Sequence, residues 1–219
     1  MDKLKKLNPE FEEIDRKTED QNLFWSSLDA KEDENHIRYG NSASFFSSVS
    51  TERSEELLNL LKKNGLSRDD KILELGSNCG RNINYIKSQG FPNVLGLEIN
   101  QEAIDHGVEE YELLSEENFI QGSAESAIGR VGQIDWLFTM AVMIHLTEEQ
   151  KISIYEWAKK NVSKGIVFVE SFSKNTMHHY GLKGHWFSHM SKKEIPKIGK
   201  KTRYRKFKSI GYTACIITM

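Results

Sequence analysis

Lys71-Ile72-Leu73-Glu74-Leu75-Gly76-Ser77-Asn78-Cys79-Gly80-Arg81-Asn82 carries the fold. Residues 71–75 read as a short, mostly apolar strand that ends in Gly76, and a helix is expected from about 81 to 88, stopped at Gly90. Before it, Leu57, Leu58, Leu60 and Leu61 recur at helical spacing, predicting a helix over 51–63 that Gly65 ends. After it, Val94-Leu95-Gly96-Leu97-Glu98-Ile99 reads as a second strand. Asn100 is placed to cap a helix running to about Leu114. Further strands are expected at 118–121, 134–140 and 165–170. The capping box Thr147-Glu148-Glu149-Gln150 opens a helix through 161. Strands alternating with helices specify an α/β, Rossmann-like doubly wound sheet of five parallel strands. The runs 203–208 and 213–218 flank Gly211 with no helix between them, so a C-terminal antiparallel β-hairpin should close the sheet edge.

The chain has 219 residues, 38% hydrophobic and 28% charged, with 15 Gly and 3 Pro, a composition of one globular domain. Residues 51–219 are assigned to that domain, residues 1–50 to an N-terminal helical arm, and 171–200 to a substrate-side loop insertion. No apolar run reaches the roughly 18–20 residues a membrane helix needs. Two cysteines, Cys79 and Cys215, are too few for a disulfide framework or a structural zinc site. No apolar stretch follows Met1-Asp2-Lys3-Leu4-Lys5-Lys6, so a cytoplasmic protein is expected. The net charge of −2 hides a basic segment: residues 190–210 hold nine bases and one acid, a potential anion-binding surface or a solvated face.

Ligands of an open parallel sheet sit beyond the carboxyl ends of its strands. At the first of these ends, Gly76 and Gly80 allow a tight turn. At the second, Glu98 lies 22 residues beyond Gly76, where an acid can accept both hydroxyls of a ribose. The spacing is G-x-x-x-G rather than the G-x-G-x-x-G of dinucleotide sites, and Asn78 stands where a pyrophosphate would need glycine. Glu74, two residues before the turn, disfavours phosphate and favours a cationic ligand. No Gly-Lys-Ser/Thr follows, which excludes a P-loop. A ribose, no phosphate and positive charge together describe S-adenosylmethionine.

Glu74-x-Gly76-x-Asn78-x-Gly80 resembles motif I of the class I S-adenosylmethionine-dependent methyltransferases. Glu98 matches the acidic end of their second strand, and Gln121-Gly122-Ser123-Ala124-Glu125 resembles their Gly-Asp-Ala segment. Asp135 to His145 resembles their fourth-strand motif. The pieces fall in order over residues 50–170. The resemblance implies a methyltransferase with cofactor contacts at Glu74, Gly76, Asn78, Gly80, Glu98, Ile99, Ser123, Ala124 and Met140. Asn78 departs from the commoner middle Gly, and Ser123 from the usual Asp. Phe24-Trp25, the 41–46 stretch, Ile144-His145 and Tyr180-Gly181-Leu182-Lys183-Gly184-His185 further resemble methylases found with pseudaminic acid and related surface-sugar pathways.

His145, just past the fourth strand, is expected as a proton acceptor for the attacking group. Glu170, ending the fifth, is a second candidate base. Met140 packs on the cofactor or on the core. Tyr39, Tyr180, His185 and Trp186 are expected to contact substrate, with the N-terminal arm and the 171–190 loop roofing the pocket. The histidines at 178, 179, 185 and 189 match no standard zinc spacing, so no metal is expected. The predicted activity is methyl transfer to an oxygen or nitrogen of a small, acidic molecule of sugar or nonulosonic-acid type. Alternatives are an RNA methyltransferase using residues 192–208 as a phosphate track, a protein methyltransferase, and a cofactor-binding protein without activity. Monomer and homodimer both remain open.

Overall fold

The computed structural model describes residues 18–27, 50–173, 177–180 and 186–219. Among these, seven strands form one sheet: β1 (Ile72–Leu75), β2 (Val94–Glu98), β3 (Phe119–Gln121), β4 (Ile134–Met140), β5 (Val162–Glu170), β9 (Lys201–Phe207) and β10 (Tyr212–Thr218). Their order is β3-β2-β1-β4-β5-β10-β9. The first five run parallel, and β10 pairs antiparallel with both β5 and β9. This is the expected doubly wound sheet with its closing hairpin. The chain leaves β1 in one direction and returns on its other side as β4, so the topological switch point lies between these two strands.

Helices cover both faces. On one lie α2 (Glu52–Lys63) and α3 (Arg81–Ser88), with Leu57, Leu58, Leu61, Ile83 and Ile86 buried against Ile72, Trp136, Phe138, Val167 and Val169. On the other lie a one-turn helix α5 (Ala124–Ala127) and α6 (Glu148–Asn161), whose Ala127, Ile154 and Tyr155 share a core with Leu73, Leu75, Leu137, Ile166 and Phe168. Alternate residues of a strand point to opposite faces, so Ile72 and Glu74 face α2 and α3 while Leu73 and Leu75 face α6. Each fully buried Leu stabilises the fold by roughly 1.5–3 kcal/mol.

The local signals act as the chemistry requires. The Asn100 side chain accepts the Ala103 N–H at the start of α4 (Gln101–Glu110), and Thr147 and Gln150 form the reciprocal capping box of α6. Helix α4 ends at Glu110 rather than near Leu114. Tyr111 turns extended, and Leu114 instead packs beside Phe119.

The segment expected as a loop at 171–200 contains a second, small sheet: β6 (Phe172–Ser173), β7 (Met177–Tyr180) and β8 (Trp186–Ser191), in the order β6-β8-β7. Buried Met190 of β8 joins the core around Met143 and Ile144, so β8 braces the turn that follows β4. Helix α1 (Thr18–Ser26) falls within residues 1–50, the stretch expected as an N-terminal arm. No described helix is long and apolar enough to cross a membrane.

Candidate cofactor and substrate site

Beyond the carboxyl ends of β1, β2 and β4 lies a cavity of about 540 Å³. Glu74, Gly76, Asn78, Glu98, Ile99, Ser123, Ala124, Met140 and His145 line it together.

The turn after β1 is built around three left-handed residues: Gly76 (φ 70°), Asn78 (φ 50°) and Gly80 (φ 75°). Asparagine tolerates this conformation better than other residues with a Cβ. The Asn78 Oδ1 also accepts the Cys79 N–H at 2.8 Å, which pins the turn. Asn78 therefore supplies the backbone geometry that the missing middle glycine would have provided. A side chain at Gly76 would run into Val142. Gly80 does not line the cavity. A Cβ there would lie 2.7 Å from Leu114 and Phe119, so this glycine seats the turn on the core. Cys79 is fully buried, and burial pushes its thiol up to about 11, which leaves it a packing residue.

Glu98 is buried and holds the two strand ends together. Its Oε2 accepts the Asn78 N–H at 2.7 Å, and its Oε1 accepts the N–H groups of Ile99 and Asn100 at 2.9 and 3.0 Å. Burial raises its pKa, against the pull of these three bonds. Of about four lone-pair sites on a carboxylate, one remains, on Oε2, open to a ligand hydroxyl.

Glu74 is buried on the α2/α3 face. Its Oε1 accepts the Asn82 amide at 2.6 Å, and Asn82 in turn accepts the Ser54 hydroxyl at 2.7 Å. Its Oε2 has no hydrogen-bond partner among the described residues. Burial drives its pKa up to about 8, opposed by Asn82 and by the nearby Arg81 charge. A buried carboxylate oxygen without a partner is costly, and a cationic donor arriving in the cavity removes that cost.

At the far end, Gly122 donates to the Glu98 carbonyl at 2.8 Å and delivers Ser123 and Ala124 to the rim. The Ser123 hydroxyl is shared with that of Ser126 at 2.8 Å. Helix α1 lies over the opening. Its Asn22 donates to Glu125 at 2.7 Å, Gln150 donates to the other Glu125 oxygen at 2.9 Å, and Trp25 stacks edgewise on His145 with centroids 4.6 Å apart.

Glu170 departs from expectation. It is fully buried, does not line the cavity, and points to the α6 face, as Phe168 does. Its Oε1 accepts the Thr139 hydroxyl at 2.6 Å and the N–H groups of Val142 and Met143 at 3.1 and 3.2 Å. Burial raises its pKa to about 7 despite these bonds. The turn it holds contains Ala141 at φ 58° and leads into His145. Glu170 is thus placed to shape this turn rather than to reach a substrate.

Tyr180 and Trp186 are register partners in the β7–β8 ladder, and the description there extends to the backbone only. Tyr39 and His185 lie outside the described residues. Arg53, Arg81 and Tyr212 line the cavity without having been singled out from sequence. The available signal was a basic residue in the first turn of each of two helices, where acids are preferred.

The chain matches no known protein-family model and no curated protein sequence. Solved structures do resemble it. Streptomyces venezuelae DesVI superposes with a TM-score of 0.61 at 10% identity, over 80% of this chain and 94% of that one. S-adenosylmethionine-bound CalS10 from Micromonospora echinaspora, an amino pentose methyltransferase of calicheamicin biosynthesis, gives 0.60 at 11%, again over 80% and 94%. The glycopeptide N-methyltransferase MtfA in complex with S-adenosylmethionine gives 0.57 at 12%, over 76% and 93%. The chain therefore has the fold of these methyltransferases.

Proposed function

We propose that this protein transfers the methyl group of S-adenosylmethionine to an oxygen or nitrogen of a small molecule. One observation carries the reading: two buried carboxylates, Glu74 and Glu98, flank a left-handed turn in one cavity at the switch point, and Glu74 keeps an oxygen without a partner. These residues fit the cofactor. Glu98 is placed for one ribose hydroxyl and Glu74 for the ammonium. Ile99, Ser123 and Ala124 wall the end suited to adenine, and Met140 lies at the end of β4 beside the methionine half. The cofactor supplies an electrophilic methyl group on a sulfonium. The chain's own work is positioning, which for well-aligned partners contributes roughly 7–11 kcal/mol. His145 accepts the proton of the attacking group, adding a factor of about 10²–10⁴.

Helix α1 closes over the site through Asn22 and Trp25, and the Trp25 ring on His145 supports this role. Such a cover suits a small acceptor better than a nucleic acid. The basic strand β9 forms the outer edge of the sheet, and none of its bases lines the cavity. The likeness of CalS10 and the resemblance to surface-sugar methylases nominate a sugar as acceptor, in a cytoplasmic reaction. The test is S-adenosylhomocysteine formation from S-adenosylmethionine with fractionated small metabolites, bulk RNA and bulk protein as separate acceptors. Product from the small-molecule fraction, reduced in the Glu98→Ala variant at limiting S-adenosylmethionine, supports the reading. Product from RNA or protein alone contradicts it.

A further inference from the structure

The cavity ends in a corner of concentrated positive charge. Arg53, second residue of α2, and Arg81, first residue of α3, both line it, joined by Tyr212 at the start of β10. The Ser54–Asn82 hydrogen bond ties the two first turns together. Each helix N-terminus carries a partial positive charge, which the exposed Glu52 and Glu55 offset in part at α2 and no acid offsets in the first turn of α3, and the two guanidinium groups further disfavour each other. Burial and the Arg81 charge together lower the Arg53 pKa, while Tyr212 acts in the opposite sense. Among the described residues no carboxylate forms an ion pair with Arg53. Of the two acids that line the cavity, Glu98 is engaged with three backbone N–H groups, and Glu74 holds Asn82 with one oxygen and offsets part of the Arg81 charge; neither is paired with Arg53.

An anion in this corner would offset all of these repulsions. Resting on the methyltransferase reading, we infer that Arg53 and Tyr212 bind an acidic group, a carboxylate or phosphate, on the methyl acceptor. Arg81, beside Glu74, serves the amino-acid end of the cofactor. The guanidinium fork matches carboxylate and phosphate oxygens, and the phenol adds a donor. The cofactor itself is net positive, with a sulfonium besides its zwitterionic amino-acid end. Its arrival therefore deepens the preference for an anionic acceptor. The acidity of the acceptor is thus read inside the cavity and not by the basic segment at 190–210.

The test is a thermal melt of the full chain saturated with S-adenosylhomocysteine, in inorganic phosphate against chloride of equal ionic strength. Phosphate should raise the midpoint. Arg53→Gln should remove most of that rise, Tyr212→Phe should reduce it, and Arg53→Lys should keep part of it. All three should retain the shift given by S-adenosylhomocysteine. Lys206→Gln, on the edge strand, should change neither shift. No phosphate shift in the wild type, or an equal one in Arg53→Gln, overturns the proposal. So does loss of the S-adenosylhomocysteine shift in Arg53→Gln, which would assign Arg53 to the cofactor's own carboxylate. If S-adenosylhomocysteine has no effect on the wild type, the cofactor reading fails separately. Phosphate melts without it then decide the corner: a shift abolished in Arg53→Gln keeps the anion site, and equal shifts remove it.

Discussion

The carboxylate of Glu98, at the end of β2, accepts the backbone N–H of Asn78, in the turn after β1, at 2.7 Å. One side chain thereby fixes the shape of the glycine turn and presents the remaining acceptor site to the cavity. Binding and local geometry are coupled through it. Glu98→Ala should weaken S-adenosylhomocysteine roughly 10- to 100-fold, the equivalent of a hydrogen bond to a charged group. Titration calorimetry reads this directly, and an unchanged affinity would remove Glu98 from the site.

On the proposed function, Glu74 should make binding depend on pH. Its pKa in the folded chain, about 8, lies above the ordinary 4.5. Between these values the native state holds a proton that the unfolded state has lost, so stability falls as pH rises through the window. A ligand ammonium prefers the ionised carboxylate, so affinity for S-adenosylhomocysteine should climb from about pH 6.5 to about pH 8.5. Glu74→Gln should flatten both trends. A wild-type affinity that falls across this range would contradict the assignment.

Gly76 has φ 70°, and a Cβ there would collide with Val142. Gly76→Ala should therefore destabilise the fold by more than the roughly 1–2 kcal/mol of a left-handed residue alone. Adding Val142→Ala should restore part of the loss. Urea melts of the two single variants and the double variant test this, and strict additivity would show that the two residues do not meet.

Glu170 and His145 are separable by their pH profiles. Glu170 holds Thr139, Val142 and Met143, and stands behind the turn rather than in the cavity. Glu170→Ala leaves these buried donors without their acceptor, at roughly 1–3 kcal/mol each, and should lower the melting midpoint by several degrees. Glu170→Gln should slow methyl transfer while leaving the pH profile in place. His145→Ala should cut turnover about 10²–10⁴-fold with little change in S-adenosylhomocysteine affinity. A profile abolished by Glu170→Gln would make Glu170 the base after all.

The parallel half of the fold was legible because its signals are local. Arg81–Ser88 and Ile134–Met140 have the bounds that period and glycine stops indicate, and Thr147 with Gln150 marks the start of α6. The strands at 172–191 were not legible. β6 is two residues long, and β8 is held by Met190 packing on a turn distant in sequence, a tertiary contact with no local trace. The site divides in the same way. Glu74 and Glu98 stand next to the turn and strand end that identify them. Arg53 precedes the motif by more than twenty residues and reaches the cavity through α2 packing on α3. For Glu170 the position was legible but the orientation was not: the strand alternation that buries Phe168 on the α6 face turns Glu170 to the same side.

The central claim is that the turn at 76–80, with Glu74 and Glu98, holds S-adenosylmethionine. The most direct measurement is a thermal melt with S-adenosylmethionine, S-adenosylhomocysteine and NAD in parallel. Ligand at about 100 times its dissociation constant stabilises by roughly 2.7 kcal/mol, a rise of about 5–10 °C for a chain of this size. The account predicts that rise with both adenosyl ligands, none with NAD, and its fall to about half or less in Glu98→Ala. A rise with NAD alone, or none with either adenosyl ligand at millimolar concentration, would contradict it.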